Sequence, residues 1–221
     1  MDTKLKFAKA LCEMEGKDYL AAVMAYVAAP AIEKKKPSYL MTFTSKGKNM
    51  LALWRQYGKE LCETFKLQHF ELKTEKECIR VLLYREKALT WYLSHERNAK
   101  FMNKMGYGAI EHLHQKLGRL KRRFDTCCPH EIGIFLGIPV EDVEGFIAHG
   151  GQNCLMCKYW KVYENPRRAQ LLFNVYDTAR NHMAEFIYHW FKTTDASKSI
   201  LKSTNITYRK EAVSIATLYI K

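Results

Sequence analysis

Between Cys127 and Tyr163 the chain reads CCPHEIGIFLGIPVEDVEGFIAHGGQNCLMCKYWKVY, concentrating thiols and imidazoles between Gly and Pro turn signals. Cys154 and Cys157 form a Cys-x-x-Cys, the spacing at which two thiolates reach one metal ion or each other. Cys128 and His130 stand at the opposite end of the stretch. A helical hairpin joining the two ends would gather Cys128, His130, Cys154 and Cys157 into a Cys3His set suited to zinc or iron. Steeply crossed helices would instead hold the ends on the order of 12 Å apart, one helix length, and break the set. Cys128 before Pro129 also places a thiolate on a turn that can approach haem iron, with His130 as a second donor. His130 and Glu131, with Tyr159, Trp160 and Tyr163, make a candidate ligand pocket. As an acid–base pair, with Cys128 assisting, His130 and Glu131 are poorly arranged, because helical neighbours point about 100° apart. The plain alternative is that the thiols pack as small hydrophobes, the reading that fits the apolar settings of Cys62 and Cys78.

The elements that must position these residues are mostly helical. A helical period runs from Lys17 to Ile32 and should stop at Pro30, and a second runs from about Lys48 to Phe65 through Leu51, Trp54 and Leu61. Between them Tyr39, Leu40, Met41 and Phe43 are too short to assign. HFELKTEKECIRVLLYR gives two apolar runs around a polar turn at Lys73 to Glu77, a β-hairpin at about 68–85. Helices follow over 87–93, 96–105 and 110–123, then a helical hairpin at 129–148 entered at Pro129 and reversed at Gly137. Asn165 and Pro166 start a further helix that reaches Trp190. Beyond Phe191 the composition turns to Thr, Ser and Lys before the apolar ITYRKEAVSIATLYIK. The chain is therefore expected to be one domain, 1–191, with a linker and appendage at 192–221 that docks on the core or on a partner. The class is α+β, helix-dominated, with a small antiparallel sheet that the C-terminal segment could extend.

Composition narrows the classes of function. At 221 residues and 48% hydrophobic, the chain can bury one substantial core. No apolar run approaches the roughly 20 residues that cross a bilayer, so membrane insertion is not expected. Seven cysteines, an odd number, without an export signal indicate reduced thiols and a cytoplasmic location. Lys and Arg number 36 against 23 Asp and Glu, a formal +13, which attracts nucleic acid or small phosphorylated and carboxylated ligands. Lys116, Arg119, Lys121, Arg122 and Arg123 populate one amphipathic helix and are the candidate nucleic-acid face. EIGIFLGIPVEDVEGFI has the spacing of a helix-turn-helix, but Glu141, Asp142 and Glu144 would meet phosphates where cations are needed. A Gly-rich phosphate loop, a Ser nucleophile elbow and a paired-His zinc motif are missing, and Glu111 with His114 lacks the second Glu-x-x-His of a di-iron bundle.

PHEIGIFLGIPVEDVEGFI followed by YWKVY, with APAIEKKKPSYL and VLLYR upstream, resembles an uncharacterised bacterial family found mostly in anaerobes. It is domain-of-unknown-function family 3793, defined by a PHE and an LGYP motif. The resemblance spans roughly Leu20 to Trp190. PHE falls on Pro129, His130 and Glu131; LGYP falls on Leu136, Gly137, Ile138 and Pro139, with Ile138 in place of the tyrosine. The resemblance implies no activity, and the cysteines are not part of the motif, which favours His130 and Glu131 over Cys128, Cys154 and Cys157. The leading expectation is an accessory or ligand-binding protein linked to iron, haem or redox metabolism. The alternative is a nucleic-acid-associated basic protein.

Overall fold

The hairpin at 68–85 organises the fold. In the structure, a computed structural model that describes residues 3–198, β2 (Gln68–Thr74) and β3 (Cys78–Tyr84) pair antiparallel. The free edge of β3 pairs with β1 (Ser38–Thr44), which gives the order β1-β3-β2. The short run Tyr39–Phe43 is thus the third strand. Its imperfect alternation and the lack of an adjacent hairpin partner in sequence hide it, although it is as long as β2 and β3. Apart from Arg80, β3 is apolar on both faces, as expected for a strand covered from two sides. Ile79, Val81 and Leu83 face one helical layer and Leu82 and Tyr84 the other.

The first layer contains α2 (Gly16–Ile32) and α3 (Met50–Thr64), which set Leu20, Met24, Ala28, Leu51, Trp54 and Leu61 on the sheet. The second is made by α4 (Glu86–Ser94), α5 (Glu96–Lys104), α6 (Leu113–Phe124), α7 (Ile132–Phe135) and α8 (Val140–Ala148). Leu89, Phe101, Leu117, Leu120, Phe135 and Val143 form its core. A small hairpin, β4 (Met156–Cys157) with β5 (Lys161–Val162), leads into α9 (Pro166–Lys198). With α1 (Thr3–Glu13), α9 covers the outer side of α2, where Ala22 and Ala25 permit close approach to Phe7, Ala184 and Ile187.

The helix-dominated α+β class holds, with three differences in detail. Pro30 does not stop α2, which runs on to Ile32. The stop comes at Lys34, in the left-handed region at φ 61°, with Lys34 N–H donating to Ala31 O and Lys35 N–H to Pro30 O at 3.2 and 2.8 Å. That is a Schellman closure. The first arm of the 129–148 hairpin is a single turn, α7, that starts at Ile132 rather than Pro129. α9 begins as expected, with Asn165 Oδ1 accepting from Arg168 N–H at 3.0 Å, but continues past Phe191 to Lys198. The apolar segment at 206–221 lies outside the described residues. No described helix is long and apolar enough to cross a membrane.

Candidate functional site

Glu131 of the PHE motif is fully buried and works inside the fold. Its carboxylate pairs with Arg123 Nε and accepts from the Tyr107 hydroxyl at 3.1 Å. Burial, and then the Glu131 charge, push the Tyr107 phenol well above its ordinary range. Arg119 lies over the Tyr107 ring at 5.2 Å and donates to Met105 O at 3.3 Å. Of the five basic residues proposed as a nucleic-acid face, Arg119 and Lys116 are partly buried, Lys121 and Arg122 are exposed, and Arg123 stays exposed while pairing with the buried Glu131. His130, beside Glu131 in sequence, is exposed and has its ring 5.5 Å from that of Phe146.

The LGIP turn is a clamp. Gly137 has φ +74° and a Cβ there would stand 2.6 Å from Pro37 Cδ, so only glycine lets this turn close onto the Lys36–Pro37 segment. Ser38 Oγ donates to Phe135 O at 2.6 Å, and the Tyr92 hydroxyl donates to Ile138 O at 2.9 Å. Both motifs thus anchor the α7–α8 turn, and the turn braces the chain at Lys36.

Asp142 anchors the segment after α8. Buried, it accepts from Trp160 Nε1 at 2.7 Å and from the backbone N–H groups of Tyr163 and Glu164 at 2.7 and 3.3 Å. The start of α8 is likewise occupied: Glu141 pairs with Arg168 at 2.9 Å. The Tyr163 ring stacks on His149 with centroids 5.5 Å apart, and its hydroxyl has no hydrogen-bond partner. Burial, then Cys154 and Cys157 beside it, raise its pKa. Cys128 instead neighbours Arg80, Cys127 and Glu131, and burial raises its thiol first of all. The proposed set of Cys128, His130, Cys154 and Cys157 is therefore not assembled, and among the described residues no three His, Cys, Asp or Glu side chains could hold a metal ion. α8 does return to the start of the hairpin, where Phe146 meets the His130 ring, but Cys154 and Cys157 lie beside Tyr163 while Cys128 faces Arg80. The five residues of the predicted pocket come together only in part: Trp160 and Tyr163 share Asp142, and Tyr159 and Trp160 share Phe173 and Tyr176, whereas His130 is at the surface and Glu131 faces Tyr107. A hollow of about 240 Å³ lies elsewhere, bordered by Glu13, Glu15, Asp18 and Trp190.

Tyr159 leads to a different cluster. Its ring meets Tyr176 edge-on at 5.4 Å and carries the Arg180 guanidinium at 4.9 Å. Arg180 also lies 5.9 Å from the Tyr26 ring, with one terminal nitrogen 3.4 Å from Val27 O and a buried Nε–H that has no acceptor. The Lys36 ammonium stands 5.7 Å from the Tyr176 ring and 5.8 Å from the Tyr39 ring. Lys36 is partly buried, and its backbone N–H donates to Pro30 O at 3.0 Å. Burial first, and the Arg180 charge second, lower its pKa to about 8.

Neither cation forms an ion pair with a carboxylate among the described residues. Asp177 is engaged elsewhere, with Lys158 at 2.5 Å and the Tyr159 hydroxyl at 2.8 Å. Against the upward push of burial, those two bonds hold its carboxyl below the usual range. Glu33, raised by burial, faces His182 and Lys35. Cations held over aromatic faces gain some attraction from the rings, but no neutralising charge. The sequence signals for this cluster were the KKKP run and the YWKVY string, and neither indicates that Arg180 joins them.

No curated protein and no solved structure matches the chain. One family does, over residues 24–196, a span that takes in β1, the sheet, both motif turns and Arg180. The chain belongs to the family described as Protein of unknown function (DUF3793).

Proposed function

We propose that the protein is a cytoplasmic accessory protein that binds a small anionic ligand between Lys36 and Arg180. The observation that carries this reading is a pair of partly buried cations, lined by Tyr26, Tyr39, Tyr159 and Tyr176, with no carboxylate partner. Folding gains little from such a pair, because a desolvated charge without a counter-ion is destabilising. A ligand anion supplies what the fold leaves out. The cysteines take no part in this site, so iron and haem chemistry does not enter the reading.

Ligand binding to the folded state alone raises stability by RT ln(1 + [L]/Kd), about 1.4 kcal/mol at ten times Kd. For a chain of this size that corresponds to roughly 3–5 °C in melting temperature. Melting in phosphate against chloride at fixed ionic strength should show such a shift in the wild type, and it should be lost in Lys36→Met and Arg180→Gln. An equal shift in all three proteins would place anion binding elsewhere and refute the reading.

A further inference from the structure

We propose that the Lys36–Arg180 site selects a dianion, specifically a phosphate group, over a carboxylate. The inference rests on the anion-binding reading above and names its ligand class. The first argument is charge balance. The site carries two cationic side chains, and the tyrosines around it add no negative charge. The hydroxyls of Tyr159 and Tyr176 are both pushed up to about 12, in each case by burial first, so they stay protonated at neutral pH. A monoanion would leave one positive charge uncompensated beside aromatic walls. A phosphate monoester, at roughly −1.5 to −2 near neutral pH, balances both.

The second argument is the supply of donors. Arg180 keeps a buried Nε–H with no acceptor, and only one of its terminal nitrogens reaches a carbonyl, at 3.4 Å. The planar fork that grips two oxygens of one phosphate is therefore largely unspent. Lys36 offers an ammonium with no hydrogen-bonded carboxylate, a point charge free to meet a further oxygen. A fork and a point charge together match the several oxygens of a phosphate better than the two of a carboxylate.

The position of Lys36 fits a built site rather than a loose surface charge. The Schellman closure of α2 fixes its backbone from one side, and the Gly137 turn closes on Pro37 from the other. A bound dianion would also favour the charged form of Lys36, the form that burial and the Arg180 charge oppose.

The test is an NMR titration of the Arg180 Nε–H resonance with inorganic phosphate, sulfate, glycerol phosphate and acetate, at neutral pH and constant ionic strength. Phosphate and sulfate should saturate the shift at concentrations at least tenfold below acetate. Glycerol phosphate matching inorganic phosphate would identify a phosphate monoester as the ligand, and inorganic phosphate binding alone would identify the free ion. Either result supports dianion selection. Equal saturation by acetate and phosphate would overturn the selection while leaving anion binding intact, and no saturable shift with any of the four would overturn both. Arg180→Lys keeps the charge but removes the fork, so it should retain the fold and bind phosphate at least tenfold more weakly. Unchanged affinity in Arg180→Lys would contradict the role given to the fork.

Discussion

Lys36 shows at the scale of one residue how a partly buried, unpaired charge is recognised by what it does to stability. Its folded pKa of about 8 lies below the ordinary 10.5, so the unfolded chain holds the proton more tightly than the folded one does. The resulting penalty is fully present below pH 8 and is relieved as pH rises from 8 towards 10.5. Lys36→Met should therefore be more stable than the wild type at pH 7, by about 1–3 kcal/mol, and the difference should shrink by pH 9.5. Urea unfolding at both pH values checks this, and a less stable variant at pH 7 would contradict it. Glu131 makes the opposite case. Read from the sequence it is a ligand-pocket candidate, yet it is a buried acceptor for Arg123 and Tyr107. The position of Glu131 was legible and its partners were not, because the Cys127–His130 turn that returns it to α6 carries no periodic signal. Among the predicted pocket residues Tyr159 carries the Arg180 guanidinium, while its neighbour Trp160 packs on the same Phe173 and Tyr176 rings but spends its N–H on Asp142.

At the scale of elements, the turn after α2 matters most. Lys34 occupies a left-handed position that glycine fills without strain, with φ 61°. Lys34→Gly should therefore stabilise the fold by about 0.5–1 kcal/mol and leave Lys36 in place. Chemical denaturation measures the gain, and retained phosphate binding shows that Lys36 has not moved. A loss of stability would mean that the closure of α2 is not the Schellman arrangement. The absence of glycine here also explains why the end of α2 was misplaced: Pro30 was the visible breaker, while the actual stop falls on a lysine. Elements with long, periodic patterns were legible, α3 and the β2–β3 hairpin among them. β4 and β5 were not, being two residues each, and β1, as long as β2 and β3, was not because its pairing partner β3 lies far along the chain.

At the scale of the molecule, α2 ties the layers together. Leu20, Met24 and Ala28 pack toward the sheet and α3, while Ala22 and Ala25 face α1 and α9. This two-sided burial accounts for its alanine-rich, almost wholly apolar sequence. Ala28→Leu should cost about 1–3 kcal/mol by overpacking, read as a lower urea midpoint with an unchanged slope. A neutral effect would mean that the space beside α2 is not filled. The formal charge of +13 is also less free than its size implies. Lys48 donates to Cys12 O and Met14 O at 2.9 and 2.6 Å, Lys161 donates to Gly151 O at 2.6 Å, Arg119 donates to Met105 O and Arg123 pairs with Glu131. Composition predicted attraction for anions; only the packing of α9 against α2 and β5 distinguishes Lys36 and Arg180 from the other cations.

The most direct measurement is the pKa of Lys36, followed through its side-chain carbon and nitrogen resonances with and without phosphate. An unneutralised ammonium beside Arg180 predicts a value near 8 in the free protein, moving upward when phosphate binds. An ordinary value near 10.5 in both conditions would mean that Lys36 is a solvated surface charge and that the site does not exist.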